Sequence, residues 1–338
     1  MAPFSDAVKL QPQISKQGPS TVYSGEIDPE WTIGVVPNGG YSLALVIEAT
    51  MRYQIATEHK DPIHVTAHYL KAVSSTSPFE VHVQTLKKGR GLTNVLANLV
   101  QEGQVRIMTH IIFGILAPTP TGPDVASSVT RKFNAPGAYA RRHPLSTHPA
   151  TAEVSKRMRS AWSYRDVVKK AEDPVFTNRN QVDHPSRTNG STVGGGGIEW
   201  GSWFELLGDE TRITTPSIAF LCDIFTNAPT LLPKEERKGL EASWFPTITL
   251  AIELKHPIPT SGSYASRTVG IYHKGDFMNA PQGRHDAYVE IWTAPSNIGE
   301  GKEVDGWREE QVCLAISTQM ALVVSMDVNA RTASAAKL

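Results

Sequence analysis

The sequence predicts an α+β chain in which one unit, an antiparallel sheet wrapped around a central helix, is used twice. Three observations carry this expectation. Residues 20–117 read strand, long helix, then a run of strands; the same order returns from Ile198; and the two runs share a doublet at one point, His-Tyr-Leu-Lys71 against Ile-Glu-Leu-Lys255. An internal repeat of about 100 residues means two packed copies of a globular unit rather than a solenoid. At 338 residues the chain is long enough for two cores.

The first unit follows a polar lead-in over residues 1–19. Ser20-Thr-Val-Tyr-Ser-Gly-Glu-Ile27 reads as a short strand, and Trp31-Thr-Ile-Gly-Val-Val-Pro-Asn-Gly-Gly-Tyr41 carries the chain into a helix ending near Gln54. Gly39 and Gly40 stand at the mouth of that helix, where the missing side chains let backbone amides approach another molecule and the unpaired N–H groups favour negative charge. That makes the pair a candidate oxyanion site. Strands follow at Ile63–Leu70, Phe79–Leu86, Thr93–Val100 and Val105–Phe113, joined by glycine-bearing turns of hairpin type. His64 and His68 share a strand face, but the spacing supplies no third ligand, so no metal site is expected.

Between 118 and 197 the periodicity breaks down into prolines, the basic run Arg141-Arg-His-Pro144 and four consecutive glycines ending at Gly197. This reads as a linker holding one helix around Ala152–Lys170. The second unit, 198–325, opens with the strand Ile198-Glu-Trp-Gly-Ser-Trp-Phe-Glu-Leu206. A helix over Thr215–Asn227 follows, then strands at Phe245–Leu254, Tyr264–His273, Asp286–Thr293 and Gln311–Val324. Residues 326–338 read as a polar tail.

Composition excludes several classes. Lys+Arg and Asp+Glu both number 33, so no net field draws the chain to nucleic acid or to an anionic membrane. The two cysteines, Cys222 and Cys313, both lie in apolar segments, as reduced core thiols do. No secretory leader opens the sequence and no apolar run approaches the ~18 residues of a membrane span, so a soluble, unsecreted protein is expected. The last three residues, Ala336-Lys337-Leu338, are similar to the Ser-Lys-Leu peroxisomal tripeptide. They imply a peroxisomal import receptor as partner, the cytoplasm being the alternative location.

The chemistry centres on Asp223, the only charge in the apolar stretch Thr215-Pro-Ser-Ile-Ala-Phe-Leu-Cys-Asp-Ile-Phe225. A carboxylate beside apolar walls either finds hydrogen-bond partners or takes up a proton, and either state suits water activation. In the next strand, alternation sets Thr247, Thr249, Ala251 and Glu253 on one face and Ile248, Leu250, Ile252 and Leu254 on the other.

Strand, long helix and meander, twice over, resembles the hotdog fold in tandem, the double hotdog of acyl-CoA thioesterases of the thioesterase II type. In that family an Asp on the second helix, a Thr opening the next strand and a Gln in the last strand hold the attacking water. Counting back from Lys255-His256-Pro257, the Thr position falls on Thr247; the Asp falls on Asp223 in Phe-Leu-Cys-Asp, and the Gln on Gln319 in Ile-Ser-Thr-Gln-Met. The resemblance implies hydrolysis of an acyl-CoA without metal or organic cofactor, and further assembly into a homo-oligomer. The alternatives are a hotdog hydratase or dehydratase, and an acyl-binding or tailoring protein of a secondary pathway. No Ser-His-Asp set or Gly-x-Ser-x-Gly elbow is present for an acyl-enzyme route. Aligning the helix starts sets Gly40 against Thr215, Glu48 against Asp223 and His110 against Gln319. Pro216 has no N–H to give, so a single productive site is expected, with amides from the first half and side chains from the second.

Overall fold

The structure is a computed structural model that describes residues 3–11, 15–17, 20–117, 137–156, 161–185, 198–208, 210–238, 243–260, 263–276 and 283–335. After α1 (Phe4–Ala7) come β1 (Ser15–Gln17), β2 (Ser20–Gly25), the hairpin β3 (Thr32–Ile33) and β4 (Val36–Pro37), and α2 (Gly39–Gln54). β5 (Asp61–Tyr69), β6 (Phe79–Lys88), β7 (Thr93–Gln101) and β8 (Gln104–Gly114) complete the first half. β9 (Val168–Glu172) and α3 (Pro174–Arg179) precede β10 (Ile198–Leu206), α4 (Thr215–Leu221), α5 (Ala228–Leu231), β11 (Ser243–Trp244) and β12 (Thr247–Leu254). β13 (Thr268–Asp276), β14 (His285–Thr293), α6 (Trp307–Glu310), β15 (Cys313–Ala321), β16 (Val324–Ser325) and α7 (Met326–Ala335) end the chain.

Twelve of these strands form one sheet in the order β1-β2-β6-β7-β8-β5-β12-β15-β14-β13-β10-β9. The two halves meet at β5 and β12, which pair antiparallel with Thr66 opposite Ala251 and His68 opposite Thr249. The order on either side of that joint matches, so the predicted repeat is real. α2 is buried nearly all round, with Leu43, Ala44, Leu45 and Val46 fully enclosed, as a helix in the hollow of a sheet must be. It packs on α4. A Cβ added at Gly40 would lie 2.3 Å from the carbonyl oxygen of Ala219, so only glycine permits this backbone contact. The second glycine of the pair thus brings α2 against α4 itself.

Four expectations are revised. α4 ends at Leu221, and Asp223 stands in the turn beyond it, its N–H on the carbonyl of Phe220 at 3.0 Å. A short polar side chain competes with helix continuation, and here it has partners across the joint. No helix covers Ala152–Lys170 among the described residues; a 3-10 turn at Ser163–Val167 leads into β9, which pairs with β10. Burial of Trp162, Tyr164 and Val168 overrides the helical pattern of their charged neighbours. The segment 137–156 does more than link, because it covers the outer face of the second half. His143 stacks on Trp203 at 4.9 Å with Trp292 and Trp307 edge-on, and a Cβ at Gly270 would lie 2.5 Å from its Nε2. Arg141 pairs with Glu290 at 3.1 Å, which ties the basic run to β14. Lastly, the expected polar tail forms α7. The four glycines at 194–197 and the terminal Ala336-Lys337-Leu338 lie outside the described residues.

Candidate active site

Asp223 is held from both halves of the chain. Its Oδ2 accepts the Gly40 N–H at 2.8 Å, and its Oδ1 lies 3.1 Å from the Thr247 hydroxyl. That hydroxyl is also 2.8 Å from the Gln319 Oε1, an acceptor, and Asn38 Nδ2 donates to the Asp223 carbonyl at 3.4 Å. A threonine hydroxyl has one proton, so it can donate to only one of these neighbours. The amide oxygen of Gln319 faces Thr247, which leaves its NH₂ to donate to the Asp223 carboxylate, and the single Thr247 proton goes to either Gln319 Oε1 or Asp223 Oδ1. The three side chains singled out in the sequence therefore form one relay.

Local sequence explains each placement. Asn38 caps α2, its Oδ1 accepting the Tyr41 N–H at 2.9 Å, which fixes the glycine mouth in front of Asp223. Thr247 begins β12 opposite Ala321, where a bulge between Thr247 and Thr249 re-aims its side chain. Gln319 sits on β15 opposite Leu250 and is 4 % exposed, so its amide must find polar company inside. Tyr69 donates to the carbonyl of Gly39 at 2.9 Å and pins the mouth from below.

A cavity of about 240 Å³ opens onto this relay, lined among others by Asn38, Gly39, Tyr69, Asp223, Thr247 and Gln319. Gly40 is absent from its lining, its N–H being committed to Asp223, whereas the Gly39 N–H has no acceptor among the described residues. Burial pushes the Asp223 carboxyl up to about 6, and hydrogen bonds from Gly40, Thr247, Gln319 and Asn38 keep it from rising further. Burial, then the charge of Asp223, drive the Tyr69 phenol well above its ordinary range, so it stays a donor. Asn38 and Tyr69 were not foreseen. An Asn just before a glycine pair and a helix is an N-cap signal that was available for the first; nothing in the sequence pointed to the second.

Residues 27–114 match the family model of the acyl-CoA thioesterase N-terminal domain. Solved structures cover nearly the whole chain. A hot dog fold protein of unknown function from Alicyclobacillus acidocaldarius superposes with TM-score 0.63 at 16 % identity, covering 95 % of this chain and 98 % of its own. The chain has the double-hotdog fold. A candidate thioesterase II from Thermobifida fusca YX gives 0.62 at 19 % identity over 95 % of this chain and 97 % of its own. The acyl-CoA thioesterase II TesB2 from Mycobacterium marinum gives 0.59 at 11 % over 95 % and 98 %. No curated protein matches the chain in sequence.

The two halves of the double hotdog are unequal at the site. In the first half the bulge falls between Pro62 and His64 of β5, so Pro62 stands where the second half has Thr247. Counting from the bulges, Val65 lies opposite Ile111 as Leu250 lies opposite Gln319, which makes Ile111, not His110, the counterpart of Gln319. The two helices begin at Gly39 and Thr215, so helix count sets Ile47 rather than Glu48 against Asp223, and Glu48 is bound to Arg52 one turn on at 2.7 Å. At the mouth of α4, Thr214 and Ser217 cap each other's amides next to Pro216. The mirror position has proline and isoleucine where the site has threonine and glutamine, and no free helix mouth.

Proposed function

We propose that this double hotdog hydrolyses an acyl-CoA thioester to the free acid and CoA, by direct attack of a water held by Asp223, Thr247 and Gln319. The observation that carries the reading is the buried carboxylate joined to a hydroxyl and an amide at the floor of a cavity, with a helix mouth alongside. Ionised Asp223 takes a proton from the water as the water oxygen bonds to the thioester carbon. The carbonyl electron pair moves onto oxygen, where the free Gly39 N–H and the positive end of α2 stabilise it. Its return breaks the C–S bond, and the departing sulfur receives the proton that Asp223 took. Gly40 has a different part from the oxyanion role expected of it: its N–H orients the base and limits its proton affinity.

One cavity relay and an apolar counterpart favour a single productive site per chain. A hydratase reading lacks support, since no histidine lines the cavity among the described residues. The test is release of thiol from a panel of CoA esters differing in chain length and substitution, by the full chain and by Asp223→Asn. Hydrolysis of at least one ester, lost in the variant, is expected; cleavage of none by the folded wild type would leave an acyl-binding role. The sequence similarity of Ala336-Lys337-Leu338 to a peroxisomal address supports action in that organelle, tested by whether removing the three residues leaves a fluorescent fusion in the cytoplasm.

A further inference from the structure

The catalytic helix mouth hangs from a short hairpin, and the far end of the chain holds that hairpin. β3 and β4 pair Thr32 with Pro37 and Ile33 with Val36, and Pro37 runs directly into Asn38 and Gly39. Ile33, Val36 and Pro37 all line the cavity. Asn329 of α7 is 1 % exposed and reaches across 294 residues of sequence, its Oδ1 accepting from Val35 N at 3.4 Å while its Nδ2 donates to the Ile33 carbonyl at 3.2 Å. Between those two contacts lies Gly34, in the left-handed region at φ +62°, where an added Cβ would stand 2.7 Å from Asn329 Oδ1 and 3.1 Å from Met326 Cε. A neutral amide with one donor and one acceptor matches the exposed edge of this turn, which explains a buried asparagine on an otherwise polar helix.

We propose that Asn329 is a positioning residue for the reaction, setting the β3–β4 turn and through it the register of the α2 mouth, so that the Gly40 N–H stays on Asp223. This rests on the hydrolase reading of the site. The linkage is short and stiff: the Asn38 N–H bonds the Trp31 carbonyl at 3.1 Å across the hairpin base, and the Thr32 hydroxyl bonds the Pro29 carbonyl at 3.0 Å. β16, which leads into α7, pairs with β11, whose Trp244 also lines the cavity. The two ends of the site are thus gathered by the same terminal segment.

The test reads Asp223 directly, by carbon NMR titration of aspartate-labelled full chain, with Asp223→Asn to assign the signal. In wild type the carboxyl titrates near 6. In Asn329→Leu the midpoint moves up by about one pH unit, because the Gly40 donor is weakened, and kcat for thiol release falls at least tenfold while KM changes little. Gly34→Ala, which pushes Asn329 away by its added methyl, gives the same shift, and the double variant is no worse than either single one. An unmoved midpoint in folded Asn329→Leu, or in Gly34→Ala if the first variant does not fold, overturns the proposal. The midpoint does not depend on turnover, so a wild type that cleaves no CoA ester sinks the hydrolase reading while the positioning claim is still judged.

Discussion

Asp223→Asn separates the energetic cost of the site from its chemistry. The folded carboxyl titrates near 6 against 3.8 for the ordinary group. Between those values the folded chain holds a proton that the unfolded chain has released. The protonated group adds its full share to stability below pH 3.8, and that share is lost as pH rises through 6. At about 1.4 kcal/mol per pKa unit, burying the ionised group costs up to about 3 kcal/mol at neutral pH; it is an upper value because Asp223 is partly exposed to the cavity. Asparagine resembles the protonated acid in shape and charge. Asp223→Asn is therefore expected to match wild type in stability near pH 4 and to exceed it by up to about 3 kcal/mol at pH 8, on the order of 5 °C in Tm, while losing thiol release. His143 and His273, both held near 3 by burial, weaken the fold as pH falls below 6.5, but they do so in both proteins. The difference between the two unfolding curves, measured in urea from pH 4 to 8, isolates Asp223. A variant no more stable than wild type at pH 8 would refute the claim that this carboxylate is strained by its surroundings.

Other outcomes follow from the same contacts. Thr247→Val removes a hydroxyl that lowers the Asp223 pKa, so the acid limb of the pH–rate profile should move above 6 and kcat should fall tenfold or more; an unmoved limb would exclude the relay. Gly40→Ala drives a methyl into the Ala219 carbonyl and should cost roughly 1–3 kcal/mol in urea denaturation, with turnover falling further than stability accounts for. Glu48→Gln breaks only a surface pair with Arg52, so it should change stability by less than about 1 kcal/mol and leave the rate of thiol release as it was.

The repeat, the wrapped helices and Asp223 could be read from the sequence because each left a local mark, whereas Thr247 and Gln319 were named only through the resemblance to the thioesterase family. Alternation exposed the strands, a lone acid among apolar residues exposed Asp223, and Lys255-His256-Pro257 gave a fixed point for counting. The register of the first half could not be read in the same way. A bulge adds one residue to one strand without any sequence signature here, and the bulges at Pro62/His64 and Thr247/Thr249 move the counterpart of Gln319 from His110 to Ile111. The function of residues 137–156 was equally hidden, since Leu145 and Ala152 follow neither a helical nor a strand period and owe their burial to the sheet they cover. Gly40 was flagged for the right property and the wrong neighbour: closeness to a backbone was needed, and the backbone was that of α4.

The pairing of β5 with β12 makes each half the other's edge guard. Severed between the halves, either piece would present a full-length strand of unpaired N–H and C=O groups, the kind of rim that recruits foreign strands. Fragments produced alone should aggregate, and only the two made together should regain a working site, since one carries the acid and the other the glycines that face it.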